Sequence, residues 1–183
     1  DVLTSAIRAR ELVKQLNQVV RRDISETLEA VDINPIIIQA TRATSPRWKD
    51  EAESQGIHIG VETHLARVPP IAATESGLHD MLLNFIFNAV DAMPEGGTLI
   101  IQTKDTKGGV QLTITDTGVG MNEDTQRRIS EPFFTTKMDI GTGMGLATVH
   151  ATIQRWNASI EVQSNPKKGT TFKIVFPITR RTS

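Results

Sequence analysis

At 183 residues the chain is long enough for one full domain and an additional element, and its formal net charge is −1. It has no cysteine, which excludes a disulfide framework and a Cys-based zinc site, and the near-neutral charge argues against a nucleic-acid partner. No apolar run approaches the roughly 20 residues that cross a bilayer; the start at Asp1 rather than Met is the expectation for an excised fragment, with membrane attachment upstream left open.

Residues 2–22 read as one long helix, because Val2, Ala6, Ala9, Val13, Leu16 and Val20 recur at spacings of four and three. Such a seam suits half of a dimerising helical hairpin, or an amphipathic helix packed on its own domain. Residues 23–34 read as a linker, with Val31 and Ile33 alternating as in a short strand. Asn34-Pro35 predicts the cap and first turn of a helix that stops at Gly56. Ile57, Ile59 and Val61 alternate as a strand, and Val68-Pro69-Pro70 breaks it. Thr74 or Ser76 caps a helix lasting to about Met93, ahead of Pro94 and the Gly96-Gly97 turn. A hairpin follows over 98–104 and 110–116, then a short helix from Asn122 to Ile129 and a loop over 130–142. A helix over 143–156 and two strands, 158–164 and 170–177, complete the chain. The order β-α-β-α-ββ-α-loop-α-ββ predicts an α+β fold, a two-layer sandwich with helices on one face of a mixed, mostly antiparallel sheet.

Three constellations carry chemistry. Asn84, Asn88 and Asp91 share one face of the helix over 75–93, whose other residues are mostly apolar. Such a stripe is either solvent-facing or a site for a hard cation: amide and carboxylate oxygens suit magnesium, which keeps several waters and borrows phosphate oxygens. The second is Asp116-Thr117-Gly118-Val119-Gly120-Met121 at a strand end. The glycines let a ligand approach the backbone closely, and an ionised carboxylate accepts hydrogen bonds only, which suits an exocyclic amine such as that of adenine. The third is Gly141-Thr142-Gly143-Met144-Gly145-Leu146 before a helix, where backbone N–H groups form an anion cradle. No Lys follows these glycines as in a P-loop, and a long loop, not a strand, precedes them.

In combination and order these segments resemble the GHKL superfamily of ATP-binding domains, which includes gyrase, MutL-type repair proteins, the large heat-shock chaperones and histidine kinases. Asn84 to Ala92 resembles the N box and Asp116 to Gly120 the G1 box. Glu131-Pro132-Phe133-Phe134-Thr135-Thr136-Lys137 resembles the F box, and Gly141 to Gly145 the G2 box. Gly169-Thr170-Thr171-Phe172 resembles the closing strands, so the likeness covers about 31–178. It implies ATP and Mg2+ as ligands, with Asp116 on the adenine amino group, Asn88 on magnesium and Thr170 beside the base. It also implies that Asn84, Asp91, Gly118, Gly120, Met121, Lys137 and the amides of Gly141, Thr142, Gly143, Met144, Gly145 and Leu146 line the nucleotide, with 121–142 as a lid. Phe133 and Phe134 read as a small hydrophobic anchor for that loop, whereas the resemblance implies docking of the lid, or of a neighbouring helix, in one state only.

The resemblance also bears on the reaction. Hydrolytic members carry a water-activating Glu one turn before the magnesium-binding Asn; here that position is Asn84, whose amide cannot serve as a general base. That implies phosphoryl transfer, with Asn84 and Asn88 as the catalytic pair of a two-component sensor histidine kinase. The acceptor would be a His on a separate helical hairpin, relayed to the Asp of a response regulator. His79-Asp80 lacks the family's Pro at +5 and lies inside the N-box helix, so the acceptor is expected upstream of Asp1, with 2–22 as the second hairpin helix, 35–183 as the catalytic domain and the full-length protein a homodimer. A cytoplasmic location is expected for the domain. A hydrolytic ATPase, a Ser-directed kinase relative and a nucleotide-sensing module are the rival readings. Two departures stand out. Trp156-Asn157-Ala158 replaces the family's His-Gly-Gly, leaving Asn157 to take the left-handed cap; Ile71-Ala72-Ala73-Thr74-Glu75 lacks the usual acid before the N box, so the helix cap must differ.

Overall fold

A computed structural model describes residues 27–129, 131 and 145–178. The helix expected over 2–22, Lys137 and Gly141 to Met144 lie outside the described residues.

The described chain opens with a strand, β1 (Glu29–Val31), and a helix, α1 (Ile33–Ala43). The cap of α1 is Asp32, whose carboxylate accepts from the Asn34 N–H at 3.1 Å. Asn34, expected as the cap, instead bridges two other segments: its amide donates to the Ala66 carbonyl and accepts from the Thr103 hydroxyl, both at 2.9 Å. The single helix expected to run on to Gly56 is interrupted. Pro46 has no N–H to continue the ladder, and the chain passes through a π-helical turn (Pro46–Glu51) into a short α2 (Ala52–Ser54).

After β2 (Ile59–Leu65) comes β3 (Ile71–Ala73), which pairs antiparallel with β1. Thr74 then caps α3 (Glu75–Asp91), accepting from the Gly77 N–H at 3.2 Å. The hairpin β4 (Gly97–Thr106) and β5 (Gly109–Asp116) leads to α4 (Glu123–Arg128), capped as expected by Asn122. Helix α5 (Gly145–Arg155) and the hairpin β6 (Ser159–Ser164) and β7 (Thr170–Phe176) follow. Asn157 turns the chain after α5 with φ 52°, the left-handed conformation expected of it.

The main sheet has the order β2-β4-β5-β7-β6, parallel only between β2 and β4. Alternation along its strands puts Leu99, Ile101, Val110, Leu112, Ile114, Phe172, Ile174 and Phe176 on one buried face. The helices cover that face, which is the two-layer sandwich expected. Helix α3 is the central piece, burying Leu78, Met81, Leu82, Phe85, Ile86, Ala89 and Val90. Each large apolar side chain so buried contributes about 1.5–3 kcal/mol. Phe85 meets Phe172 of β7 with ring centroids 4.9 Å apart. At the other end of α3, Gly77 lets the Trp156 ring lie close: a Cβ there would stand 2.8 Å from the indole. These contacts fix the polar face of α3 relative to the sheet end that carries Asp116.

Candidate nucleotide site

The last residue of β5 is Asp116, and in register with it across β7 stands Thr170, and across β6 Ser164. The three form one row on the buried face, with 5%, 6% and 8% exposure. The Asp116 Oδ1 accepts from the Gly118 N–H at 2.9 Å. Burial pushes the Asp116 carboxyl above its ordinary value, and the backbone N–H groups of Gly118 and Thr170 offset part of that rise. A buried acceptor with two main-chain donors already behind it is poised for a further donor from a ligand.

The turn after Asp116 is seated on two other backbones. Gly118 packs against the Ala92 carbonyl at the end of α3, with no room for a Cβ. The Val119 N–H donates to that same carbonyl at 2.8 Å. On the far side the Lys167 N–H donates to the Val119 carbonyl at 2.7 Å, and Gly120 (φ 66°) lies against the Asn165 carbonyl. Glycine at 118 and 120 is therefore required by the close approach of the chain's own backbone at Ala92 and Asn165, whereas the alternating pattern pointed to the approach of a ligand. Met121 begins the next segment with its N–H donated to the Ser164 hydroxyl at 2.8 Å, and Gln126 ties that segment down again, donating to the Ser164 carbonyl at 2.9 Å.

Asn84 and Asn88 stand on the α3 face that looks toward the start of α5. A Cβ on Gly145 would lie 2.7 Å from the Asn84 Oδ1 and 4.0 Å from the Asn88 Nδ2. Asn84 donates its Nδ2 to the Asp80 carbonyl at 2.9 Å, which aims its oxygen at Gly145. Leu146, next along α5, is partly buried against the core. Asn88 lies one turn before Ala92, whose N–H donates to the Asn88 carbonyl at 3.0 Å and whose own carbonyl anchors the Asp116 turn. The structure thus joins the Asn face, the Asp116 turn and the first residues of the glycine-led helix. Asp91, grouped with the two asparagines from its spacing, is bonded elsewhere: its Oδ1 accepts from the Arg47 Nη2 at 2.7 Å, from the π-helical turn.

Among the described residues no three His, Cys, Asp or Glu side chains gather into a self-sufficient metal cage. The Asn84 oxygen, with the Asn88 amide beside it, fits a hard cation that completes its shell from water and phosphate. Two contributors escaped the sequence reading. Ser164 had a detectable signal, a polar residue ending the inward row Ile160, Val162, Ser164. Arg47 had none, because its partner is 44 residues away.

Residues 73–180 match the family described as Histidine kinase-, DNA gyrase B-, and HSP90-like ATPase. Sensor histidine kinase ZraS of Escherichia coli (strain K12) is 32% identical over 173 residues, 94% of this chain and 36% of that protein. Sporulation kinase A of Bacillus subtilis (strain 168) is 42% identical over 107 residues, 58% of this chain and 18% of that one. Among solved structures, the mycobacterial sensor histidine kinase MprB superposes with a TM-score of 0.70 at 26% identity, covering 82% of this chain and 97% of that one. Full-length ShkA in complex with AMPPNP gives 0.74 at 28% identity, covering 98% and 39%. The chain therefore spans little more than a third of ZraS, which it matches over nearly its own whole length.

Proposed function

We propose that this chain, which belongs to the histidine kinase-, DNA gyrase B- and HSP90-like ATPase family, is the ATP-binding catalytic part of a sensor histidine kinase. The observation that carries the proposal is Asp116: a buried, acceptor-only carboxylate at a strand end, backed by the Gly118 amide. In this reading the adenine amino group donates to Asp116, and Thr170 lies beside the base. The triphosphate runs toward the start of α5, where backbone N–H groups and the positive end of the helix favour anions. Lys137 and the amides of Gly141, Thr142, Gly143, Met144, Gly145 and Leu146 hold phosphates, and residues 121–142 cover them. Asn88, with Asn84 beside it, would hold Mg2+, which supplies charge neutralisation at the phosphates when bound.

Asn84 decides between transfer and hydrolysis. Its amide cannot take a proton from water, and its nitrogen is already donated to Asp80. The γ-phosphoryl group therefore passes to another nucleophile. The bond between phosphorus and the β,γ-bridging oxygen breaks, ADP leaves, and a phosphorus–nitrogen bond forms to a His imidazole, which loses its proton. That His sits on a helical hairpin to which residues 2–22 would belong, in a homodimer, and a response-regulator Asp takes the phosphoryl group next. No described helix is long and apolar enough to cross a membrane, and a cytoplasmic placement of this domain accords with an ATP-dependent role.

The test is nucleotide binding by Asp116→Asn. The amide keeps its contact with Gly118 but presents a donor to the adenine amine, so ATP affinity should fall about 30-fold or more. Unchanged affinity would sink the base assignment. Steady ATP turnover by the isolated chain would instead point to a hydrolase.

A further inference from the structure

The hydrogen atoms around Ser164 can be assigned by counting. Its Oγ lies 2.8 Å from the Met121 nitrogen, 2.9 Å from the Gly169 carbonyl oxygen and 2.9 Å from the Thr170 Oγ1. The Met121 N–H donates to the serine oxygen. The Gly169 carbonyl only accepts, so the one serine hydrogen goes there. The serine–threonine contact is then left to the threonine hydrogen, which points at the Ser164 oxygen. This is the arrangement that satisfies all three contacts, and it occupies the serine as double acceptor and single donor. Ser164 and Thr170 are both buried, and turning the serine hydrogen to the threonine instead would leave the Gly169 carbonyl with only the long 3.5 Å contact from the Asn165 N–H.

With its hydrogen committed sideways, Thr170 offers a ligand only lone pairs. Asp116, its register partner on β5, is likewise acceptor-only when ionised. We infer that Ser164 is a specificity-determining residue: by fixing the Thr170 hydroxyl as an acceptor, it makes the base end select a 6-amino purine over a 6-oxo purine. The inference rests on the proposed binding of adenine at Asp116 and adds to it a residue that touches no ligand. A carbonyl at the 6 position would face two acceptors and no donor. Discrimination of this kind is strong because it leaves buried polar groups unpaired.

The experiment compares dissociation constants for ATP and ITP, which differ at the 6 position and the adjoining ring nitrogen, for the parent chain and Ser164→Ala. Without the serine oxygen, the threonine hydrogen turns toward the ligand and serves a 6-oxo group. The ITP-to-ATP ratio of dissociation constants should narrow about fivefold. Ser164→Cys, of similar size and a weaker acceptor, should narrow it less. In a Thr170→Val background the serine substitution should leave the ratio unmoved. Equal weakening of both nucleotides by Ser164→Ala would mean that the serine only braces Met121 and the hairpin, and would overturn the inference. Narrowing that persists in the Thr170→Val background would overturn it too. Asp116→Asn separates the two levels: if it leaves ATP affinity unchanged, the adenine reading itself fails, whereas a large loss there with an unmoved Ser164→Ala ratio defeats this inference alone.

Discussion

At the sheet end of the candidate site, Asp116, Thr170 and Ser164 stand in one buried row across three hydrogen-bonded strands. At the other end, Asn84 and Asn88 line one face of α3, only partly buried, opposite the start of α5. The first end is positioned by strand register and by backbone packed on backbone. The second is positioned by helix packing and by side chains that reach across gaps. The row at the sheet end is thus fixed by the backbone of the fold, while the α3 face depends on side-chain bonds such as that of Asn84 to the Asp80 carbonyl.

Substitutions can break this contrast at either end. The largest effect is expected at Gly169, whose φ is 81° and whose missing Cβ faces the Asp116 carbonyl and the Thr117 Cα. Gly169→Ala should cost about 3 kcal/mol, a fall in Tm of roughly 10 °C, and abolish ATP binding. Thermal denaturation that is unchanged would show the sheet end to be softer than its packing suggests.

An intermediate effect concerns pH. The folded Asp116 carboxyl sits above its ordinary value because burial outweighs its amide partners. Its contribution to folding is therefore fully present below the ordinary aspartate range, about pH 4, and is lost as pH rises through the raised value. Binding in the proposed site has the opposite sign, since only the carboxylate could accept from an adenine amine. Adenosine, which has no phosphate to titrate, should lose affinity on acidification already above pH 4. Titration calorimetry would show this, and an affinity flat down to that pH would contradict it. Asp116→Asn should unfold at a temperature no lower than the parent's at neutral pH, because it removes a buried charge.

The smallest effect is expected at the helical end. Arg47 and Asp91 form a partly exposed pair, 44% and 26% by side chain. Arg47→Ala should cost at most about 1 kcal/mol, less in high salt. A loss above about 2 kcal/mol, read from denaturant titrations at two salt concentrations, would make the helical end as rigid as the sheet.

Much of this architecture was legible in the sequence. The caps Thr74 and Asn122, the left-handed Asn157 and the paired glycines around Asp116 each announce a local backbone requirement, and local requirements survive folding. The break at Pro46 was also local, but the apolar period on either side of it obscured it. Asn34, Arg47 and Ser164 were not legible in the same way. Asn34 looked like a cap because it precedes a proline, yet its amide is consumed by Ala66 and Thr103. Arg47 and Ser164 act through partners that only the tertiary fold brings near. Strand β3 is three residues long and follows two prolines, so alternation had too little length to show.

The turn at 165–168 exposes every one of its side chains, yet its backbone is clasped to the Asp116 turn through Lys167 and Val119 and through the two glycines on either side. Chemistry and length are therefore constrained separately along this stretch. Exposed side chains there can change charge without touching the core, although the position of Lys167, at φ 63°, disfavours β-branched residues and excludes proline. An added or deleted residue would shift Gly169 along the Asp116 carbonyl and unseat the carboxylate while the core stayed intact. In this hairpin the number of residues is held more tightly than their charge.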